Sequence, residues 1–350
     1  MRIAVMFNRS SGLGDRLLDG VAKDLVKAFK GHRLFASAGF GADRLGSSCR
    51  TVGVPSVRAS SANEYTTALK EAVGRLVKES PDRFITVGGD GLAAYVADAL
   101  IVRCEESGLD IPPVLGIAAG TANVGPIVSL PPSYVGSLRI DQGYVVRTGA
   151  VEVLDGEEHV GFGFNDVVIG DTLLSTHLGS MVNISAVELA RNGLKMEKKP
   201  SDRIASKSFS ISINGGAVKY NSRDPSSIKQ IILSSLQFDD FYGRAITGTL
   251  CRAMSGADHA ALALCDQVVV AMDEAGDHAP SLTGLQHITF KAGDRVTLGG
   301  LGEDAHIIID GNPFIRQHDT LTFIYRPRLI PVWRVEAVHL RDPLRKEALV

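Results

Sequence analysis

The chain has 350 residues and a mass of 37.2 kDa, long enough for two domains with separate cores, and its 45% hydrophobic and 22% charged content is that of a globular protein. A formal net charge of −2 gives no general attraction to nucleic acid or acidic membranes, so any anion site has to be built locally from backbone N–H groups and a few cations. Only 6% of residues are aromatic while 37 are glycine, which suits an α/β enzyme with many tight turns rather than a platform for stacking bases.

Residues 3–7 form a short apolar run followed at once by polar Asn8, Arg9, Ser10 and Ser11, which predicts an opening β-strand and not a signal peptide. Leu17, Val21, Leu25 and Phe29 then recur every four residues, the spacing of an amphipathic helix. A second helix is expected over 64–78, with Leu69, Ala72, Val73 and Leu76 on its apolar side. Residues 84–87 predict a strand that runs into a glycine turn and then a helix over 92–106. Residues 114–117 predict another strand that ends in small residues. Repetition of strand, turn and helix predicts a Rossmann-like parallel sheet covered by helices, because parallel strands need crossover connections.

After Pro131 and Pro132 strands dominate, at 144–154, 160–169, 209–213, 231–236, 268–272, 288–291, 305–309 and 321–325, with one helix over 185–195. Asn214, Gly215 and Gly216 between alternating runs signal a hairpin. A series of short strands of this kind predicts an all-β, sandwich-like domain. The expected layout is an α/β domain over 1–132, a sandwich domain over 133–328, and a final segment, 329–350, returning to the first domain with Trp333. No stretch approaches the ~18 apolar residues needed to cross a bilayer. Cys49, Cys104, Cys251 and Cys265 lie far apart without metal spacing and read as reduced thiols, which points to the cytoplasm. His177, His259 and His306 show no ligand spacing either, and Lys195, Lys198 and Lys199 with Glu197 read as a solvated loop.

Three glycine turns follow strands of the first domain, where open α/β sheets bind their ligands. The first holds Asn8, Gly12 and Gly14. Its glycines let backbone approach a phosphate, but its spacing matches neither a Walker loop nor a dinucleotide fingerprint. The second, Gly88, Gly89, Asp90 and Gly91, places backbone N–H groups on either side of one carboxylate at the start of a helix. That carboxylate could take a proton from an attacking hydroxyl or hold Mg²⁺ against a polyphosphate. A bare capping Asp is the structural alternative. The third, from Gly116 to Gly125, is small throughout and offers Thr121 and Asn123 beside Gly120.

Gly88-Gly89-Asp90-Gly91 followed downstream by Gly120-Thr121-Ala122-Asn123 resembles the motif order of the NAD kinase, diacylglycerol kinase and sphingosine kinase superfamily. The opening Asn8…Ser11-Gly12-Leu13-Gly14 is similar to the first turn of that superfamily. The resemblance covers most of the chain. It implies an α/β domain facing a β-sandwich, with ATP and acceptor in the cleft between them. It also implies a cytoplasmic, Mg²⁺-dependent kinase that phosphorylates NAD to NADP. In this reading Asp90 orients or deprotonates the acceptor hydroxyl, and Asn8, Gly12, Gly14, Gly88, Gly89, Gly91, Gly120, Thr121 and Asn123 line the nucleotide and its phosphates. Asn165 and Asp166 resemble the pair that grips the acceptor ribose in NAD kinases, a chemistry that suits a vicinal diol. Asp310-Gly311-Asn312 matches a turn common to both branches and carries a structural expectation.

The sequence departs from the pattern at Leu92, where the family has Thr, and at Val124 after Asn123. The Gly-Ser-Thr-Ala-Tyr stretch of NAD kinases is missing, its nearest counterpart running through Tyr242 and Arg244, which are read as acceptor-binding. A lipid kinase of the diacylglycerol or sphingosine type and a non-catalytic nucleotide-binding regulator therefore stay open beside the NAD kinase. So do the donor (ATP or polyphosphate), the metal's ligands, and a monomer or a homo-oligomer. Nucleic acid and an integral membrane segment are not expected.

Overall fold

The computed structural model describes residues 1–8, 14–53, 61–120, 123, 125–177, 180–201, 203–221, 224–236, 258–270 and 284–335. In chain order the first half comprises β1 (Arg2–Phe7), α1 (Asp15–Ala28), β2 (Arg33–Ser37), α2 (Ala42–Leu45), β3 (Cys49–Val52), α3 (Ala62–Lys78), β4 (Arg83–Gly88), α4 (Asp90–Ser107), β5 (Val114–Ala118) and β6 (Val128–Leu130). The second half comprises β7 (Gly143–Asp155), β8 (Glu158–Gly163), β9 (Val167–Gly170), β10 (Thr172–His177), β11 (Ser180–Ser185), α5 (Ala186–Asn192), β12 (Ala205–Ile213) and β13 (Gly216–Ala217). It continues with β14 (Gln230–Ser235), β15 (His259–Cys265), β16 (Leu285–Lys291), β17 (Arg295–Leu301), β18 (His306–Ile309), β19 (Asn312–Phe314) and β20 (Leu321–Val335).

Strands β3, β2, β1, β4 and β5 run parallel in that order, as the alternation of strand and helix in the sequence requires. Alternate residues of β1 point to opposite faces. Ala4 and Met6 pack with α3 and α4, while Ile3, Val5 and Phe7 pack with Leu18, Val21 and Leu25 of α1. Both faces of the parallel half are thus covered, and its strands are apolar on both sides. Helix α4 is buried nearly all round, from Leu92 to Ile101, because Ala150, Phe162 and Phe164 from the second half cover the side that the parallel sheet does not.

The second half is a sandwich. One leaf is the antiparallel sheet β16-β15-β14-β9-β18-β19, and the other is formed by β7, β12, β17 and the first part of β20. Ile169, Ile231, Leu262 and Ile307 of the first leaf meet Val153, Phe209, Leu298 and Phe323 of the second in one apolar core. The expected pairing of an α/β unit with an all-β sandwich is what the chain forms. The leaf carrying β20 is continuous with the parallel sheet. β20 pairs with β17 and β7, shifts register between Arg326 and Ile330, and ends with Val332 beside Val114 of β5.

Several local expectations are corrected. Residues 160–169 form two strands, β8 and β9, separated by a turn at 164–166. Residues 268–270 are not a strand: the N–H groups of Val269 and Val270 both bond to the side chain of Gln230 instead of to a neighbouring strand. The Asn214–Gly215 turn does join β12 to β13, with both residues in the left-handed region. Lys198 is not simply solvated, since it pairs at 3.0 Å with Asp171, whose side chain is 2% exposed.

Candidate active site

The strand ends that lead into the three glycine turns lie side by side because β1, β4 and β5 are adjacent and in register, Phe7 beside Val87 and Gly88 beside Ala118. The Asn8 N–H donates 2.9 Å to the Val87 carbonyl, and the Ala119 N–H donates 2.9 Å to the Gly88 carbonyl. The turns press on each other where glycine occurs. A Cβ on Gly88 would stand 3.0 Å from Asn8 Cβ, and one on Gly120 would collide with the backbone of Gly89. Gly14 caps α1 at φ 78. Asn123 closes its own loop, donating 2.9 Å to the Gly120 carbonyl and accepting 3.2 Å from the Gly120 N–H.

Helix α4 begins at Asp90 itself, with Gly89 as its N-cap in an extended conformation. Asp90 is thus the first helical residue and not the capping side chain, which removes the bare-cap alternative. Its carboxylate stands at the positive end of the helix and accepts a 3.0 Å hydrogen bond from the Gly125 N–H. Leu92 is 3% exposed and packs against the Gly88 position, so an apolar core side chain stands where the resemblance leads to an expected threonine.

Asn165 and Asp166 reach the same place from the sandwich. A Cβ on Gly125 would lie 2.9 Å from Asp90 Oδ1 and 3.5 Å from Asn165 Cβ, so Asp90 and Asn165 both stand against Gly125. Asn165 Nδ2 donates 3.0 Å to Asp166 Oδ2. The Asn165 carbonyl accepts 2.6 Å from Ser234 Oγ on β14. Burial, and then the charge of Asp90, push the Asp166 carboxyl up to about 7. Underneath, Asp310 accepts from the N–H groups of Phe164, Asn165 and Asp166 at 2.8, 2.8 and 2.9 Å. Burial and the charge of Asp166 push Asp310 upward as well, against those three donors. Burial and mutual repulsion thus hold both carboxyls above the usual carboxylate range, and the two titrate as a pair.

The fold therefore brings together Asn8, Gly88, Gly89, Asp90, Gly91, Gly120, Asn123, Asn165 and Asp166. Gly12, Thr121, Tyr242 and Arg244 lie outside the described residues. The sequence named Gly125 only as the end of the third turn and Asp310 only as part of a structural turn. The structure adds that the Gly125 N–H holds Asp90 and that the Asp310 carboxylate holds the turn at 164–166. The Asp310-Gly311 dipeptide announces a turn. Its partner at 164–166 is supplied by the long-range pairing of β18 with β9, which no local signal encodes.

Among the described residues no helix is long and apolar enough to cross a membrane. No protein-family model matches the chain. An uncharacterized protein of Archaeoglobus fulgidus is 32% identical over 187 residues, which is 53% of this chain and 54% of that protein, so the match spans about half of each. Yeast NADH kinase, solved in complex with NADH, superposes over 100% of this chain and 87% of its own at a TM-score of 0.54 and 11% identity. A diacylglycerol kinase-like protein from Bacillus anthracis str. Sterne superposes over 95% of this chain and 96% of its own at a TM-score of 0.51 and 12% identity. Parallel sheet, fused sandwich and both superpositions agree: the chain has the fold that yeast NADH kinase and the diacylglycerol kinase-like protein share.

Proposed function

We propose that the chain is a kinase that transfers the terminal phosphoryl group of ATP to a ribose hydroxyl of a dinucleotide, NAD being the acceptor. The observation that carries this reading is the meeting of Asp90 and Asn165 at Gly125, with Asp166 bonded to Asn165 and within reach of the Asp90 charge. One acid stands at a helix N-terminus among glycine turns that admit phosphate. Opposite it, a carboxamide and a carboxyl offer donors and acceptors matched to two neighbouring hydroxyls.

Asp90 takes the proton of the acceptor hydroxyl as its oxygen bonds to the terminal phosphorus, and the bond from that phosphorus to the bridging oxygen breaks, releasing ADP. The Gly125 N–H holds the carboxylate in one orientation during this step. Asp166, poised near neutrality, accepts from one hydroxyl of the diol or donates to the other as its proton allows. Mg²⁺ would enter with the nucleotide, held largely by phosphate oxygens and water with Asp90 as the nearby carboxylate, and would neutralise charge on the phosphates.

The test is label transfer from γ-labelled ATP with Mg²⁺ to NAD, NADH or a diacylglycerol and sphingosine mixture. Label in NADP, lost by about two to four orders of magnitude in a folded Asp90→Asn variant, is the expected result. Label in lipid would replace the acceptor. Unchanged turnover in Asp90→Asn would remove the base role.

A further inference from the structure

The hairpin beneath the site carries an interaction that the chemistry above does not use. β18 and β19 are joined by Asp310 and Gly311, both left-handed at φ 48 and 77, and the turn closes with Ile309 paired to Asn312. A two-residue turn of this kind fixes the register of the residue that follows it. Asn312 leaves it at a set point, and its Nδ2 donates 3.0 Å to the carbonyl oxygen of Gly91. The approach is close, for a Cβ on Gly91 would stand 2.8 Å from Asn312 Oδ1. Two residues on, Phe314 packs edge-on against Tyr95, the next turn of α4, with ring centroids 6.0 Å apart. On its other side the same hairpin offers Asp310 to the three N–H groups of 164–166. One rigid turn grips both the helix that begins with Asp90 and the loop that carries Asn165 and Asp166.

We propose that Asn312 is a positioning residue: through the Gly91 carbonyl it sets where Asp90 stands relative to the Asn165–Asp166 turn. A helix carbonyl keeps a lone pair after its bond within the helix, and Asn312 occupies that lone pair in the first turn, where helices fray most readily. The role in catalysis rests on the kinase reading of Asp90; the brace itself does not. Asn312 touches neither reacting group, so its effect has to pass through Asp90.

Two readouts separate these levels, on Asn312→Ala and on Asn312→Asp, which keeps the shape but turns a donor into a charged acceptor. The first needs no substrate. Amide hydrogen exchange is followed at Ala93, whose N–H bonds the Gly89 carbonyl, and at Cys104 in the last turns of the same helix. Exchange at Ala93 should quicken about fivefold or more while Cys104 is unchanged. Unchanged exchange at Ala93 in both variants overturns the brace. The second is kinetic. Asn312→Ala should lower kcat about tenfold or more, leave both KM values within about twofold, and add nothing to Asp90→Asn. A general structural lesion would instead multiply through both backgrounds. If the wild type is active and Asn312→Ala leaves kcat alone, the positioning role falls and the kinase reading survives. A wild type that transfers no label sinks the kinase reading and the catalytic role with it, and the exchange result alone then decides the brace.

Discussion

Asp310 shows how much of the site depends on one carboxylate turned toward backbone. Its two oxygens accept three backbone N–H groups, and it is 7% exposed. Asp310→Ala would leave three donors without an acceptor in a place that water barely reaches, each such loss being worth about 1–3 kcal/mol. We expect a fall of at least ~3 kcal/mol in unfolding free energy by urea titration, whereas Asp310→Asn, which keeps one accepting oxygen, should lose less than half of that. Gly120 makes a corresponding demand between the second and third glycine turns. Its missing Cβ is what lets the second and third turns touch, so Gly120→Ala should push the Gly89–Asp90 backbone aside. The expected outcome is a KM for ATP raised about tenfold or more with the melting temperature lowered by only a few degrees. An unchanged KM would mean that the contact has no bearing on nucleotide.

At the scale of elements, an ion-pair chain ties α4 to the strands beside it. Asp98 of α4 meets His159 of β8 at 2.7 Å and Lys70 of α3 at 3.4 Å. His159 also approaches Glu152 of β7 at 3.5 Å, and Glu152 holds Arg326 of β20 at 2.7 Å. Burial pulls the His159 imidazole down, but its bonds to Asp98 and Glu152 outweigh that and raise it to about 9. A raised histidine stabilises the fold fully below its unfolded value near 6.5, and that contribution is lost as pH rises through about 9. The melting temperature of the wild type should therefore drop between pH 7 and pH 10 by more than that of His159→Gln. At pH 7 the variant should lose about 2 kcal/mol, under the ~3–5 kcal/mol of a fully stranded charge because Lys70 still faces Asp98. Parallel pH slopes for the two proteins would count against this assignment.

Some of these elements were legible and others were not, for physical reasons. A period of four marked α1 and α3 because each presents one apolar face, while β1 and β4 showed as short continuous apolar runs because helices cover both of their faces. Helix α4 gave only an Ala/Leu-rich run, since both sheet and sandwich bury it and no polar face remains. The glycine turns showed themselves by composition, and the family order of motifs located Asp90, Asn165 and Asp166. Their meeting could not be read. It depends on β9 pairing with β18 and on α4 being covered by residues far along the chain. The break at 164–166 was hidden because apolar residues flank it on both sides, and the groups that hold the turn, Asp310 and Ser234, come from far along the chain.

For the whole molecule, β20 is the common member. Its first half completes the sandwich core with Leu321, Phe323 and Tyr325, and its second half places Trp333, 1% exposed, in the core beneath the parallel strands. Trp333 is the only tryptophan of the sequence, so its fluorescence reports on the parallel half alone, while far-UV circular dichroism reports on both halves. With one strand built into both cores, we expect the two signals to give coincident urea transitions. A Trp333 midpoint well separated from the circular dichroism midpoint would show that the two halves melt independently.

The same strand has a bearing on how the protein is made. Val114 and Val332 are neighbours in the sheet yet roughly two hundred residues apart in the chain. At ~5–20 residues per second, a ribosome needs roughly 10–40 s to deliver the second after the first. Through that interval the nascent glycine-turn half has neither its Val332 edge nor its Trp333 filling, and a folding helper that shields apolar surface has its longest opportunity there. The half of the molecule that is synthesised first is the half that is finished last.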